Sequence, residues 1–92
     1  MEVVWTKLAI ADLQAIHDYI ALGSPKYAER FVNQVFKRTS MLGAFPMVGR
    51  KVPEFNKDAV RELFYQSYRI VYRVDAYQVS VLRIRHQAQQ RP

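Results

Sequence analysis

The stretch RELFYQSYRIVYRVDAYQVSVLRIRHQ, residues 61–87, decides how the chain is read. Its apolar residues recur with period two, which is the signature of half-buried strands. Tyr68, Ile70, Tyr72 and Val74 alternate with Arg69, Val71 and Arg73, and Asp75-Ala76 reads as a two-residue turn into Tyr77, Val79 and Val81. Asp-Ala is a weaker hairpin signal than Asp-Gly. In that register Val74 faces Tyr77, Tyr72 faces Val79 and Ile70 faces Val81, so all six share the side that packs on the rest of the chain. Arg69 and Arg73 fall on the opposite side with Gln78, Ser80, Leu82, Ile84 and His86, whereas Arg83 and Arg85 alternate to the core side near the strand's end. Five arginines in one sheet region are costly unless a face is left to meet something negative.

Working outward, "VVW" at 3–5 is a short apolar run suited to a first strand, and Thr6 is placed to cap a following helix. Ala9, Leu13, Ile16 and Ile20 form a stripe at helical period, which Gly23 would close in the left-handed conformation. Ser24 caps a second helix with Pro25 at its first position. Ala28, Phe31 or Val32, Val35, Thr39 and Leu42 make its stripe, ending at Gly43. So short a link makes the helices an antiparallel hairpin. Residues 43–59, with Pro46, Gly49 and Pro53, read as a long connecting loop, and loops of that length are often functional. The expected fold is α+β: a short N-terminal strand, an antiparallel helical hairpin, then a three-stranded antiparallel meander, all in one domain spanning 1–92.

The chain of 92 residues has a globular composition, half apolar with 24% charged. It has no cysteine and two well-separated histidines, so neither disulfide nor metal site is expected, and no cofactor. Glu2 and the charges that follow argue against a signal peptide or a spanning segment, which makes the cytoplasm the expected location and a membrane partner unexpected. The net charge of +6 is uneven: residues 1–46 carry five basic and four acidic side chains, residues 47–92 nine and four. That asymmetry favours an anionic partner.

Trp5, Ala9, Asp12, Leu13, Ile16, Tyr19 and Ile20, then Pro46, Gly49 and Arg50, "REL" at 61–63, "YRIVYRV" at 68–74 and "V.VLRIRH" ending at His86 together resemble the RelE/ParE toxin superfamily of type II toxin–antitoxin systems. The match is better to the ParE-like branch. The resemblance implies a bacterial toxin neutralised by a cognate antitoxin that folds over it. ParE-like members inhibit DNA gyrase and stabilise its cleaved-DNA complex, which requires a binding surface and no catalytic set. RelE-like members cut mRNA in the ribosomal A site, which needs an acid, a base and cations on the phosphate. For the latter, His86, Arg69, Arg73 and Glu62 are the candidates. The nuclease branch commonly has a C-terminal tyrosine, whereas here His86 precedes "QAQQRP", and the lysine-rich element is poorly matched. Target-contact candidates are Arg50, Lys51, Arg61, Arg69, Arg73, Arg83, Arg85 and His86. Tyr19, Tyr27 and Phe36 are candidates for antitoxin contact.

A free-standing basic nucleic-acid-binding domain is the rival class, but Tyr68, Tyr72 and Tyr77 fall on the core side, where they cannot stack on bases. A membrane-surface helix fits worse, because the first helix carries Asp12 and Asp18 against Lys7 alone. On this reading Arg69 and Arg73 are free on an open face, and replacing both with glutamine weakens target action while leaving the fold intact.

Overall fold

A computed structural model describes residues 1–88; the last four residues of the polar segment after His86 lie outside the described residues. The elements run β1 (Glu2–Trp5), α1 (Lys7–Gly23), α2 (Pro25–Ser40), a 3-10 turn (Met41–Gly43), β2 (Arg50–Lys51), β3 (Val60–Tyr65), β4 (Tyr68–Val74) and β5 (Gln78–His86). The expected α+β order is present. The meander β3-β4-β5 gains a strand on each side, giving a five-stranded sheet in the order β1-β5-β4-β3-β2, with β1 parallel to β5 and β2 antiparallel to β3. The long loop therefore contains a short edge strand that its Pro and Gly content concealed.

Both helices pack on one face of the sheet. Ala9 and Leu13 of α1 and Phe31 and Val35 of α2 meet Ile70, Val81 and Ile84 in the main core, with Trp5, Ile16, Ile20 and Tyr68 packed around it. The caps are as expected. The Thr6 hydroxyl accepts from Ala9 N–H at 3.1 Å and donates to the Leu82 carbonyl at 2.9 Å, and the Ser24 hydroxyl accepts from Tyr27 N–H at 3.2 Å. Gly23 does not take the left-handed conformation, because Ser24, extended at φ −159°, stops α1 as it starts α2.

The register differs from expectation in two places. Val74 stands opposite Val79 and not Tyr77, because the chain turns over residues 75–78, where the Asp75 carboxylate accepts from the Tyr77 and Gln78 N–H groups at 3.0 Å each. Those two bonds hold the Asp75 carboxyl below its usual range and leave Tyr77 87% exposed. Further on, Tyr72 pairs with Val81 but Val71 pairs with Arg83, so Leu82 is an extra residue, a β-bulge. A bulge reverses the alternation of everything beyond it. Ile84 and His86 therefore move to the helix side, while Arg85 comes to lie opposite Arg69 on the other side. The expected placements of Leu82, Ile84 and His86 together, and of Arg83 and Arg85 toward the core, are corrected accordingly.

The face away from the helices is only partly open. Val52, Val60 and Val71 form a small second core with Leu82 packed against it. The loop that supplies Val52 is anchored by Tyr72: its hydroxyl donates to the Pro46 carbonyl at 2.7 Å and accepts from Gly49 N–H at 2.9 Å. Burial pushes the Tyr72 phenol up, which keeps it a neutral donor and acceptor. Among the described residues no helix is long and apolar enough to cross a membrane.

A Cβ on Gly49 would lie 2.6 Å from the Tyr72 hydroxyl and 2.7 Å from the Glu62 carbonyl, one of them rigid backbone. Gly49→Ala is expected to destabilise the chain by about 2–3 kcal/mol, at the upper end of overpacking costs. Thermal unfolding followed by circular dichroism checks this; an unchanged midpoint contradicts the anchoring of the loop by Tyr72.

Candidate functional site

The candidate residues separate into four places. The first is built around Glu62, in the middle of β3, whose side chain is fully buried. One carboxylate oxygen accepts from Arg50 Nε at 2.7 Å and the other from Arg69 Nη1 at 3.0 Å, and Arg69 also lies 3.8 Å from Glu54. Arg50 further stacks on Phe64, its guanidinium carbon 5.1 Å from the ring centre. Arg61 spends its guanidinium on the loop, donating to the Gly49 carbonyl at 2.8 Å and to the Asp58 backbone carbonyl at 3.0 Å. Lys51 makes an exposed pair with Asp58 at 3.3 Å. Of the arginines expected on this face, Arg73 is exposed and makes no ion pair among the described residues.

The second place is a cleft between α1 and β5, lined by Asp12, Ile16, Tyr19, Tyr68, Arg85 and His86. Asp12 closes one side of it. Its carboxylate accepts from Arg83 Nε at 2.8 Å and Nη2 at 3.2 Å, and from the Ile84 N–H at 2.9 Å. The bidentate hold keeps the Arg83 guanidinium even more firmly protonated than usual. His86 meets Tyr68 edge-on, ring centres 5.2 Å apart, and its Nδ1 accepts from Ala88 N–H at 3.0 Å, which leaves Nε2 to carry the proton of a neutral ring.

The four residues proposed for RNA cleavage therefore do not converge. His86 faces the helices, while Glu62, Arg69 and Arg73 share the other side of the sheet. General acid–base work requires its groups within hydrogen-bond reach of one substrate. Glu62 is buried, and its two carboxylate oxygens accept from Arg50 and Arg69.

The third place is an apolar groove between the helices, lined by Ile10, Leu13, Gln14, His17, Val32 and Phe36. Phe36, which is 47% exposed, stacks against Trp5 with ring centres 5.1 Å apart. Tyr19 and Tyr27 are also exposed, Tyr19 beside the cleft and Tyr27 at the start of α2. Exposed Phe45, Met47 and Val48, in the loop before Arg50, were passed over by sequence reasoning, although three bulky apolar residues in a loop were a visible signal.

The fourth place was also missed. Lys26, Arg30 and Lys37 are exposed on α2 and make no ion pair among the described residues. Counting charge by halves of the chain pointed to residues 47–92, but there Arg50, Lys51 and Arg69 are paired internally, and Arg83 reaches back to Asp12.

A family model described as "ParE toxin of type II toxin-antitoxin system, parDE" matches residues 3–91. A protein of Caulobacter vibrioides named Toxin RelE2 is 39% identical over 88 residues, covering 95% of this chain and 96% of that one. A solved chromosomal ParDE toxin–antitoxin system from P. aeruginosa superposes with a TM-score of 0.74 at 31% identity, covering 94% of this chain and 95% of that chain. The RelBE2 toxin–antitoxin complex of Mycobacterium tuberculosis superposes with a TM-score of 0.61 at 22% identity, over 96% of this chain and 92% of that chain, a likeness of fold alone.

The pairing of Glu62 changes what the arginines can be tested for. Arg69→Gln removes one of the guanidiniums that hold the buried Glu62 carboxylate and is expected to cost about 3 kcal/mol. Arg73→Gln touches no such partner and is expected to stay within about 0.5 kcal/mol of the parent. Urea unfolding of the two single variants separates them; equal stabilities contradict the structural role of Arg69.

Proposed function

Because the chain belongs to the ParE toxin family of type II toxin–antitoxin systems, we propose that it acts by binding DNA gyrase and is held inactive by a cognate antitoxin. The observation that carries a binding mechanism is the division of His86 from Glu62, Arg69 and Arg73 by the thickness of the sheet. An inhibitor that works by surface complementarity does not need those groups together. It needs exposed anchors beside charge, and the loop offers Phe45, Met47 and Val48 next to Arg50. Arg73 is the further exposed cation on the sheet.

The antitoxin reading rests on the helical hairpin. An amphipathic segment that folds on binding would lay apolar residues in the groove of Ile10, Val32 and Phe36, with Tyr19 and Tyr27 as flanking contacts. Neutralisation is then steric. The solved ParDE toxin–antitoxin system of P. aeruginosa, 31% identical, supports a partner of this kind.

One observation favours ribosome-dependent mRNA cleavage as a second reading. The cleft between α1 and β5 gathers an imidazole and two phenols, from His86, Tyr68 and Tyr19, along a strand end that also carries Arg83 and Arg85. In that reading the cations come from Arg85 and its surroundings, and Arg69 and Glu62 are structural.

Purified toxin added to gyrase, plasmid and ATP tests the choice. Lost supercoiling with accumulating linear plasmid, undiminished in His86→Ala, is expected, and antitoxin-bound toxin should do neither. No effect on gyrase, together with ribosome-dependent mRNA cleavage abolished by His86→Ala, overturns the gyrase reading. For the antitoxin groove, Ile10→Glu is expected to weaken antitoxin binding by about tenfold or more, the cost of burying one unpaired charge at an interface. Calorimetric titration measures it, and unchanged affinity moves the antitoxin elsewhere.

A further inference from the structure

We infer that the outer face of α2 is a docking surface for the phosphate backbone of duplex DNA. At about 100° per residue, Lys26, Arg30, Asn33 and Lys37 fall within a sector of roughly 60°, and Ala28, Phe31, Val35 and Thr39, the buried side, lie diametrically opposite. The stripe thus occupies the helix's solvent pole, about 16 Å long from Lys26 to Lys37 at about 1.5 Å per residue. Its three cations are exposed and have no ion-pair partner among the described residues. Glu29 flanks the stripe as its one carboxylate.

The chemistry distinguishes a polyanion from an acidic protein. Protein interfaces are built on aromatic and apolar anchors and are depleted in lysine. This stripe has no apolar member; its residues are lysine, arginine and asparagine, the types that hydrogen-bond phosphate oxygens and fix register on a duplex. The apolar groove between the helices, on another side of α2, is the surface that suits a folding peptide, so the two kinds of partner are assigned different faces. The choice of DNA over RNA rests on the gyrase reading, in which the toxin acts on an enzyme that is holding a duplex; the assignment to phosphate does not.

The test is binding of the full chain to a short fluorescent DNA duplex, with affinity measured from about 50 to about 200 mM salt. The triple variant Lys26→Gln, Arg30→Gln, Lys37→Gln is expected to fold normally and to reduce the slope of log K against log salt by about 2–3, near 0.9 per lost phosphate contact. Glu29→Gln is expected to tighten binding. Lys7→Gln with Lys57→Gln, which removes exposed charge elsewhere, is expected to leave the slope within about one. The inference is overturned if the parent chain does not bind the duplex at low salt, if the control variant lowers the slope as much per charge as the α2 variant, or if only an RNA duplex binds. No step of this assay contains gyrase. A chain that is inert toward gyrase but shows the expected slopes loses the gyrase reading and keeps the surface; one that inhibits gyrase while the α2 variant keeps the full slope loses the surface alone.

Discussion

The rest of the structure depends on one buried carboxylate. Glu62 sits in a strand with neighbours on both sides, out of contact with water, and an isolated charge there would be prohibitively costly. Arg50 and Arg69 make it tolerable, and in doing so they fix the edge strand β2 to β3 and β3 to β4. The loop is tied in beside them by Arg61 on its carbonyls and by the Tyr72 hydroxyl on Pro46 and Gly49. Much of what makes this sequence resemble its family, the Gly49-Arg50 pair, Arg61 to Leu63 and the tyrosine-rich strand, is thus accounted for by one fastening of loop to sheet. Resemblance in these residues reports a shared fold, which is why names drawn from both branches of the superfamily attach to proteins similar to this one.

The architecture was legible because it rests on period. The helical stripes through Ala9 and Leu13 and through Ala28, Phe31, Val35 and Thr39 are those that are buried, and Thr6, Ser24 and Pro25 mark the helix starts. The sides of β5 were not legible by strict alternation, because one extra residue inverts it. A trace of that inversion was present in the adjacent apolar pair Val81-Leu82, followed by Ile84: an alternating strand with one buried side has no reason to place apolar residues at 81, 82 and 84 unless its phase slips between them. The turn at Asp75 failed for a different reason, since an Asx-type side chain accepting two N–H groups lengthens a hairpin without any glycine to announce it.

The candidate site was less legible than the fold, because charge in a sequence carries no record of pairing. Arginines in the second half of the chain looked available, but Arg50, Arg61, Arg69 and Arg83 are engaged by Glu62, by loop carbonyls and by Asp12, which lies more than seventy positions away from Arg83. The cations of α2 drew no attention in a segment whose overall count is nearly neutral. Pairing moves the effective positive surface from the sheet to the helix. The same pairing separates stability from function: substitutions of the paired arginines Arg50, Arg69 and Arg83 act on folding first.

Asp12 has a consequence beyond holding Arg83. Past Val81, β5 keeps β4 on one side but runs beyond the end of β1 on the other, and an unpaired row of backbone groups is a template for another chain. By accepting the Ile84 N–H, and with the Thr6 hydroxyl donating to the Leu82 carbonyl, α1 occupies that row with side chains. At the far side the sheet ends in two residues, both cationic, Arg50 and Lys51. Side chains at one stretch and paired cations at the other thus stand where a further strand would otherwise add to the sheet.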